Sequence, residues 1–215
     1  MDFFAISLQL SIKIGTVIFP LDITTLTNEI AKLGYSPAIL GKKTQEGVPI
    51  QQGDLAIKGN IILNANKQAM TVSLVGSNPK EMASAFEELI PCLTKSNVNL
   101  EKDVQAYGIN ATYEIVSGKN ALDTIAKFYG SDSSLKKLDS SLGLESSFLT
   151  IGLRRNDPDM KSSKYHFIRI EPTLARFGKS YYVSFIQRDK EQKIVLDILR
   201  NLEDKLSAAI NEIEK

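Results

Sequence analysis

All six arginines of this chain, Arg154, Arg155, Arg169, Arg176, Arg188 and Arg200, lie in its second half. Residues 1–103 carry nine lysines, no arginine and ten acids, against eleven lysines, six arginines and fifteen acids in residues 104–215. Guanidinium offers a planar fork of donors that matches carboxylate or phosphate, and it stacks on rings, so a surface of alternating arginines and aromatics is suited to binding. If Leu149, Ile151, Leu153, Ile168 and Ile170 face a core, then Phe148, Arg154, Tyr165, Phe167, Arg169 and Glu171 face the other way, and one register of the last strand adds Tyr182 and Arg188. Arg154, Arg169, Arg188, Tyr165, Phe167 and Tyr182 are therefore the candidate ligand- or partner-binding residues. Such a face suits a protein partner or a small ligand, with nucleic acid as the alternative. A slip of one residue would instead turn Tyr165 and Phe167 into the core.

Catalytic chemistry finds less to work with. The one histidine, His166, sits in an alternating stretch, and the one cysteine, Cys92, falls on the apolar side of a helical pattern where a thiol behaves as a small hydrophobe. A Cys92–His166 dyad would need the fold to bring distant residues together. Gly41-Lys42-Lys43-Thr44 has the composition of a phosphate loop, but the second glycine follows the lysines and no helix begins there. Asp157 and Asp159 flank Pro158 in a stretch of turn chemistry. No catalytic residue, metal ligand or cofactor is assigned, and an enzyme built on scattered carboxylates is the third reading.

With 215 residues, 43% of them hydrophobic, the chain can build a sizeable core without disulfide or metal. Its net charge of +1 supplies no global field toward nucleic acid or an anionic membrane. The apolar start lacks a basic leader and Lys13 interrupts it well short of a membrane span, so a cytoplasmic location is expected and a membrane partner is not. The sequon Asn110-Ala111-Thr112 would matter only in a secreted protein.

These residues need strands and helices to position them. Phe4 to Ile14 alternates, even positions apolar, which predicts a strand with one buried face. Asp22 caps a helix that carries Leu26, Ile30 and Leu33 and stops at Gly34; Gly41 to Asp54 reads as a loop. Strands are expected at about Leu55–Leu63 and Ala69–Val75, joined by a turn at Asn64-Ala65-Asn66-Lys67. Asn78, Pro79 and Glu81 open a helix with the stripe Met82, Phe86, Leu89 and Leu93, which Pro91 ends or bends. The second half starts another alternating strand at Gln105–Ile115, then a helix at Asn120–Tyr129, and a serine-rich connection with Leu135, Leu138 and Leu142. Strands follow at about Phe148–Arg155, Tyr165–Glu171 and Ser180–Gln187. From Glu191 to Glu214 a single long helix is predicted, with Val195, Leu199, Leu202, Leu206, Ala209 and Ile213 spaced as a heptad seam that covers its own sheet or pairs with a second copy as a homodimer.

The same order of strand, helix, several strands and helix thus occurs twice, in residues 1–97 and 104–215. The fold class is α+β: two pseudo-symmetric β-α-β(n)-α repeats whose antiparallel strands are covered by helices on one face. This order resembles the duplicated architecture of the TATA-box-binding-protein family. The resemblance implies two repeats sharing one curved sheet, and an open sheet face that binds the DNA minor groove with aromatic wedges. On the expected open side the first half shows Ser7, Gln9, Ser11, Lys13, Lys58, Asn60, Asn64, Thr71 and Ser73, a small polar surface without wedges.

Overall fold

The computed structural model describes residues 1–38, 52–129, 140–141, 149–155, 163–173 and 178–215. The loop tetrapeptide at 41–44, the leucines of the serine-rich connection, Phe148, the turn at 156–159 and Arg176 lie outside the described residues.

Among the described residues nine strands form one antiparallel sheet, in the spatial order β2-β3-β4-β5-β1-β6-β9-β8-β7. They are β1 Asp2–Ile14, β2 Ser36–Pro37, β3 Gln52–Lys58, β4 Ile61–Asn66, β5 Thr71–Gly76, β6 Val104–Val116, β7 Ile151–Arg154, β8 Tyr165–Pro172 and β9 Tyr181–Asp189. The two 13-residue strands β1 and β6 pair at the centre, so the sheet is continuous from the first half of the chain into the second. Five helices are described: α1 Ile23–Ala31, α2 Pro79–Lys95, α3 Ala121–Phe128, α4 Gln192–Arg200 and α5 Leu202–Ile213. None of them is long and apolar enough to cross a membrane.

The helices pack on one face. Leu8, Leu10, Ile12 and Ile14 of β1, Leu63, Val72 and Leu74 of the outer strands, and Tyr107, Ile109, Tyr113 and Ile115 of β6 join Leu26 and Ile30 of α1, Met82, Phe86 and Leu89 of α2, and Val195, Leu199, Leu206 and Ile210 of α4 and α5 in one buried cluster. The period-2 pattern of the strands and the 3.6-residue pattern of the helices meet in that layer. Capping sets the helix starts. Asp22 accepts from the amides of Thr24 and Thr25, Asn78 from Lys80 and Glu81, and Asn120 from Leu122 and Asp123. Each such bond satisfies a donor that the first helical turn cannot pair internally.

Several expectations are corrected. In β1 the register shifts between Ala5 and Ser7, so Ile6 is the extra residue of a bulge. Phe3 and Ala5 pack against the core, while Phe4 and Ile6, expected inside, are 48% and 59% exposed. The expected strand Leu55–Leu63 is a hairpin: Gly59, at φ 57°, turns with Asn60 between β3 and β4. Asn64 to Asn66 belong to β4, and the turn lies at 67–70. A second bulge at Leu55, between Asp54 and Ala56, puts Lys58 opposite the buried Ile61 on the helix side, where it pairs with Glu88 of α2 at 2.9 Å. Strand β3 also begins at Gln52, inside the expected loop. Helix α2 runs past Pro91 to Lys95.

The C-terminal helix is two helices. At Asn201 the backbone leaves the helical region (φ −106°, ψ 15°), and its side-chain amide donates to the Asp197 carbonyl at 2.8 Å, competing with the helical ladder. The heptad seam faces the chain's own sheet: Val195, Leu199, Leu202, Leu206 and Ile213 are buried and Ala209 is half-buried. It is therefore spent on the core and is not presented to a second copy. The far end is tied down as well, since Ser117 and Tyr181 donate to the Glu214 carboxylate, the tyrosine at 3.1 Å. Leu149 and Leu153, expected in the core, are 49% and 58% exposed. Strand β7 is the edge of the sheet, and α3, the nearest described helix, packs on β8.

Candidate functional site

The face opposite the helices is built by strand pairing alone. Because side chains alternate along a strand and stand side by side across a ladder, the register decides which residues meet. One row crosses all nine strands: Ser36, Ile57, Ile62, Val75, Gln9, Asn110, Ile186, Phe167 and Arg154. At about 4.8 Å between neighbouring strands it spans roughly 38 Å. A second row runs Asp54, Asn64, Ser73, Ser11, Gly108, Arg188 and Tyr165. A third runs Ser7, Thr112, Ser184, Arg169 and Gly152, and a fourth Phe4, Glu114, Tyr182 and Glu171.

All six candidate binding residues fall in these rows. Arg154 lies across from Phe167, Arg188 across from Tyr165, and Arg169 follows Phe167 two residues along β8, all on one face of β7, β8 and β9. Tyr182 stands across from Glu171, two rows from Phe167 and on the far side of Arg169. The two strands that flank β8 in this patch, β7 and β9, therefore carry Arg154 and Arg188, and β8 itself carries Tyr165, Phe167 and Arg169. Both rings are half-buried, and Arg154, Arg169 and Arg188 are exposed.

The arginines differ in what holds them. Arg169 is paired with Glu171 on its own strand at 2.5 Å, and Thr150 donates to the same carboxylate at 3.5 Å. The Arg188 guanidinium lies 5.6 Å from the centroid of the Tyr165 ring, a cation–π arrangement. Among the described residues neither Arg154 nor Arg188 has a carboxylate partner. Arg155 donates to the Lys164 carbonyl at 2.7 Å. Arg200 belongs to the helix layer, paired with Glu87 at 2.7 Å.

The centre of the face is small and polar. Gln9 donates to Ser73 at 3.0 Å, and Ser11 to the Gly108 carbonyl at 3.3 Å. A side chain at Gly108 would meet the Ser11 hydroxyl at 3.2 Å and Arg188 Cγ at 3.5 Å, so the glycine leaves room for the Arg188 stem. Of the polar face expected in the first half, Ser7, Gln9, Ser11, Lys13, Asn64, Thr71 and Ser73 are in place, whereas Lys58 and Asn60 are not. Ile57, Ile62, Val75 and Ile186, which sequence alternation did not single out, add an apolar strip through the middle row.

The other sequence features are not drawn together. Cys92 is buried in α2, its thiol held above the usual range by burial, and His166 is exposed on β8 in the other half. Among the described residues no cluster of His, Cys, Asp and Glu has the arrangement of a metal site. Grooves of about 440 Å³ occur in the helix layer, one where the start of α2 meets the α4–α5 break and one beside the β3–β4 turn. The first is lined by two cations, Lys80 and Arg200, and two acids, Glu203 and Asp204. No family model matches the chain, and no characterised protein aligns with it significantly.

Proposed function

We propose that this chain is a non-enzymatic binding protein that holds a partner or ligand on the open face of its sheet, with β7, β8 and β9 as the working surface. The observation that carries the reading is the pairing register, which sets Arg154, Arg169, Arg188, Tyr165, Phe167 and Tyr182 on one face of three adjacent strands. Exposed guanidinium beside half-exposed rings is the composition of interface hot spots. The proposal includes an internal duplication of the kind seen in TATA-box-binding proteins. Its support is the repeated element order on either side of the β1–β6 pair. Fold resemblance by itself carries no function, so the binding reading rests on the face. A cytoplasmic setting fits a chain whose single thiol has no disulfide partner.

Tagged protein recovered from its own host, compared with the Arg154→Ala/Arg169→Ala variant and with a Lys67→Ala control on the 67–70 turn, tests this reading. Whatever co-purifies with the wild type and the control should be lost from the double variant. Equal recovery in all three would sink the proposed face.

A further inference from the structure

Resting on that reading of the face, we infer that its ligand is a single-stranded nucleic acid, gripped by Arg154 and Arg188 and stacked on Tyr165 and Phe167. The charge points to an anion. Arg169 is already answered by Glu171 at 2.5 Å, whereas Arg154 and Arg188 are exposed and have no carboxylate partner among the described residues. The nearby acid Glu114 accepts from Ser180 at 2.7 Å and lies three rows along the strands from Arg188, one row beyond Ser184. Among the described residues no carboxylate answers this cationic end of the patch, where Arg188 meets only the Tyr165 ring, and phosphate can take that place.

Geometry narrows the anion. Arg154 and Arg188 stand on the strands that flank β8, two strand spacings apart, and are offset along the strands by the two residues between Phe167 and Tyr165. Taking about 4.8 Å per strand and 3.4 Å per residue, their backbones are roughly 12 Å apart on the diagonal, with the two rings between them. A lone carboxylate or inorganic phosphate would engage one guanidinium and leave the rings unused. A chain of phosphates bearing bases engages all four.

The rings also separate single from double strand. Tyr165 and Phe167 are neighbours on one side of a strand, about 6.8 Å apart. Duplex bases step at 3.4 Å and stay stacked on each other, so they cannot settle on successive rings. Unstacked bases can, and aromatic platforms beside a basic track accept them with little sequence preference. Among the described residues nothing lies within 4 Å of where a Cβ on Gly152, opposite Arg169 on β7, would stand.

The test is fluorescence anisotropy with a fluorescein-labelled mixed-sequence single strand and its duplex, across salt. Two phosphate contacts give a slope of log K against log salt of about −1.4, an affinity loss of about 7-fold between 50 and 200 mM. Arg154→Ala/Arg188→Ala should abolish that slope, while Arg154→Lys/Arg188→Lys should keep it. Tyr165→Ala/Phe167→Ala should lower single-strand affinity by roughly 5- to 100-fold per ring and leave the slope unchanged. The duplex should bind more weakly, and ultraviolet crosslinks should map to β8. Circular dichroism of each variant confirms that it folds. Absence of single-strand binding, equal affinity for duplex, or a slope indifferent to the arginine variants overturns the inference. If oligonucleotide fails to bind while Arg154→Ala/Arg169→Ala still loses a co-purifying protein, the nucleic-acid ligand falls and the face stands. If neither assay responds, both fall.

Discussion

Tyr113 should stabilise the protein when it loses its hydroxyl. Its ring is fully buried on the core side of β6, in edge contact with Phe3 at 6.2 Å between centroids, and its hydroxyl has no hydrogen-bond partner among the described residues. Burial also holds its phenol well above the usual range. An unpaired buried hydroxyl costs about 1–3 kcal/mol in protein series. Tyr113→Phe removes that cost and keeps the ring and its contact with Phe3. Against the gain stands the space left by one oxygen, roughly the 10–15 Å³ of a water-sized probe. At about 24 cal/mol per Å³ that void costs only about 0.3 kcal/mol. The net expectation is a gain of about 1–2.5 kcal/mol, or some 2–4 °C in Tm per kcal/mol for a chain of this size. Tyr181 supplies the opposite case: it is equally buried, but its hydroxyl donates to Glu214 at 3.1 Å. Tyr181→Phe should therefore cost about 0.5–1.5 kcal/mol, because it removes one of the two donors, Tyr181 and Ser117, from the Glu214 carboxylate. Urea unfolding of the two variants beside wild type gives both signs from the midpoints at constant m-value. A Tyr113→Phe variant that unfolds at lower urea than wild type would refute the reasoning and place an ordered water on that hydroxyl.

Alkaline pH should weaken the fold in a defined window. Burial pushes Tyr35 and Tyr181 up to about 12, from 10.0 when exposed. Folding thus favours the neutral phenols; their contribution is complete below pH 10 and is lost as pH rises from 10 towards 12. Each costs up to about 1.4 kcal/mol per pH unit there, and urea midpoints measured from pH 8 to 11 should be level and then fall. Leu206→Ala should lower stability by about 2–5 kcal/mol, because the side chain is 2% exposed in the core. Sedimentation of the folded variant should match that of wild type at equal concentration, whereas a change of mass would restore the heptad seam as an interface.

The parts of this fold legible in the sequence are those where two signals agree. In β8 the isoleucines at 168 and 170 alternate with charged and aromatic residues over a full strand, so the register and the exposed set Tyr165, Phe167 and Arg169 follow from the pattern. Helix α2 was equally plain, because Asn78, Pro79 and Glu81 mark its start just ahead of an apolar stripe. At the start of β1 the pattern is silent: Phe3, Phe4, Ala5 and Ile6 are all apolar, and such a run reads the same with or without a bulge. The β3–β4 hairpin turns at Gly59-Asn60, inside the stretch expected as one strand, while the asparagines at 64 and 66, expected in the turn, are held in a strand by the ladder with β5. Asn201 occupies an exposed helical position, where nothing in the heptad spacing shows that its side chain will take a backbone carbonyl. Of the candidate face in the second half, alternation places Arg154, Tyr165, Phe167, Arg169 and Glu171 on one side, as the ladder does, whereas Ile186 was not singled out and Phe148 lies outside the described residues. The apolar middle row was not legible, because Ile62 and Val75 meet Gln9 and Asn110 only through long-range pairing.

The central pairing of β1 with β6 also governs when the molecule can be assembled. Ser11 and Gly108 are register partners separated by nearly a hundred positions in the chain, so the middle ladder cannot close until the ribosome has delivered both. At about 5–20 residues per second, β1 spends roughly 5–20 s with one long edge open while β3, β4 and β5 are already available to satisfy the other. An open edge with an apolar side is a template for wrong partners. The nascent first half is thus the most vulnerable species in the life of this protein. Its yield should depend on translation speed and chaperone supply more than the stability of the finished sheet would indicate.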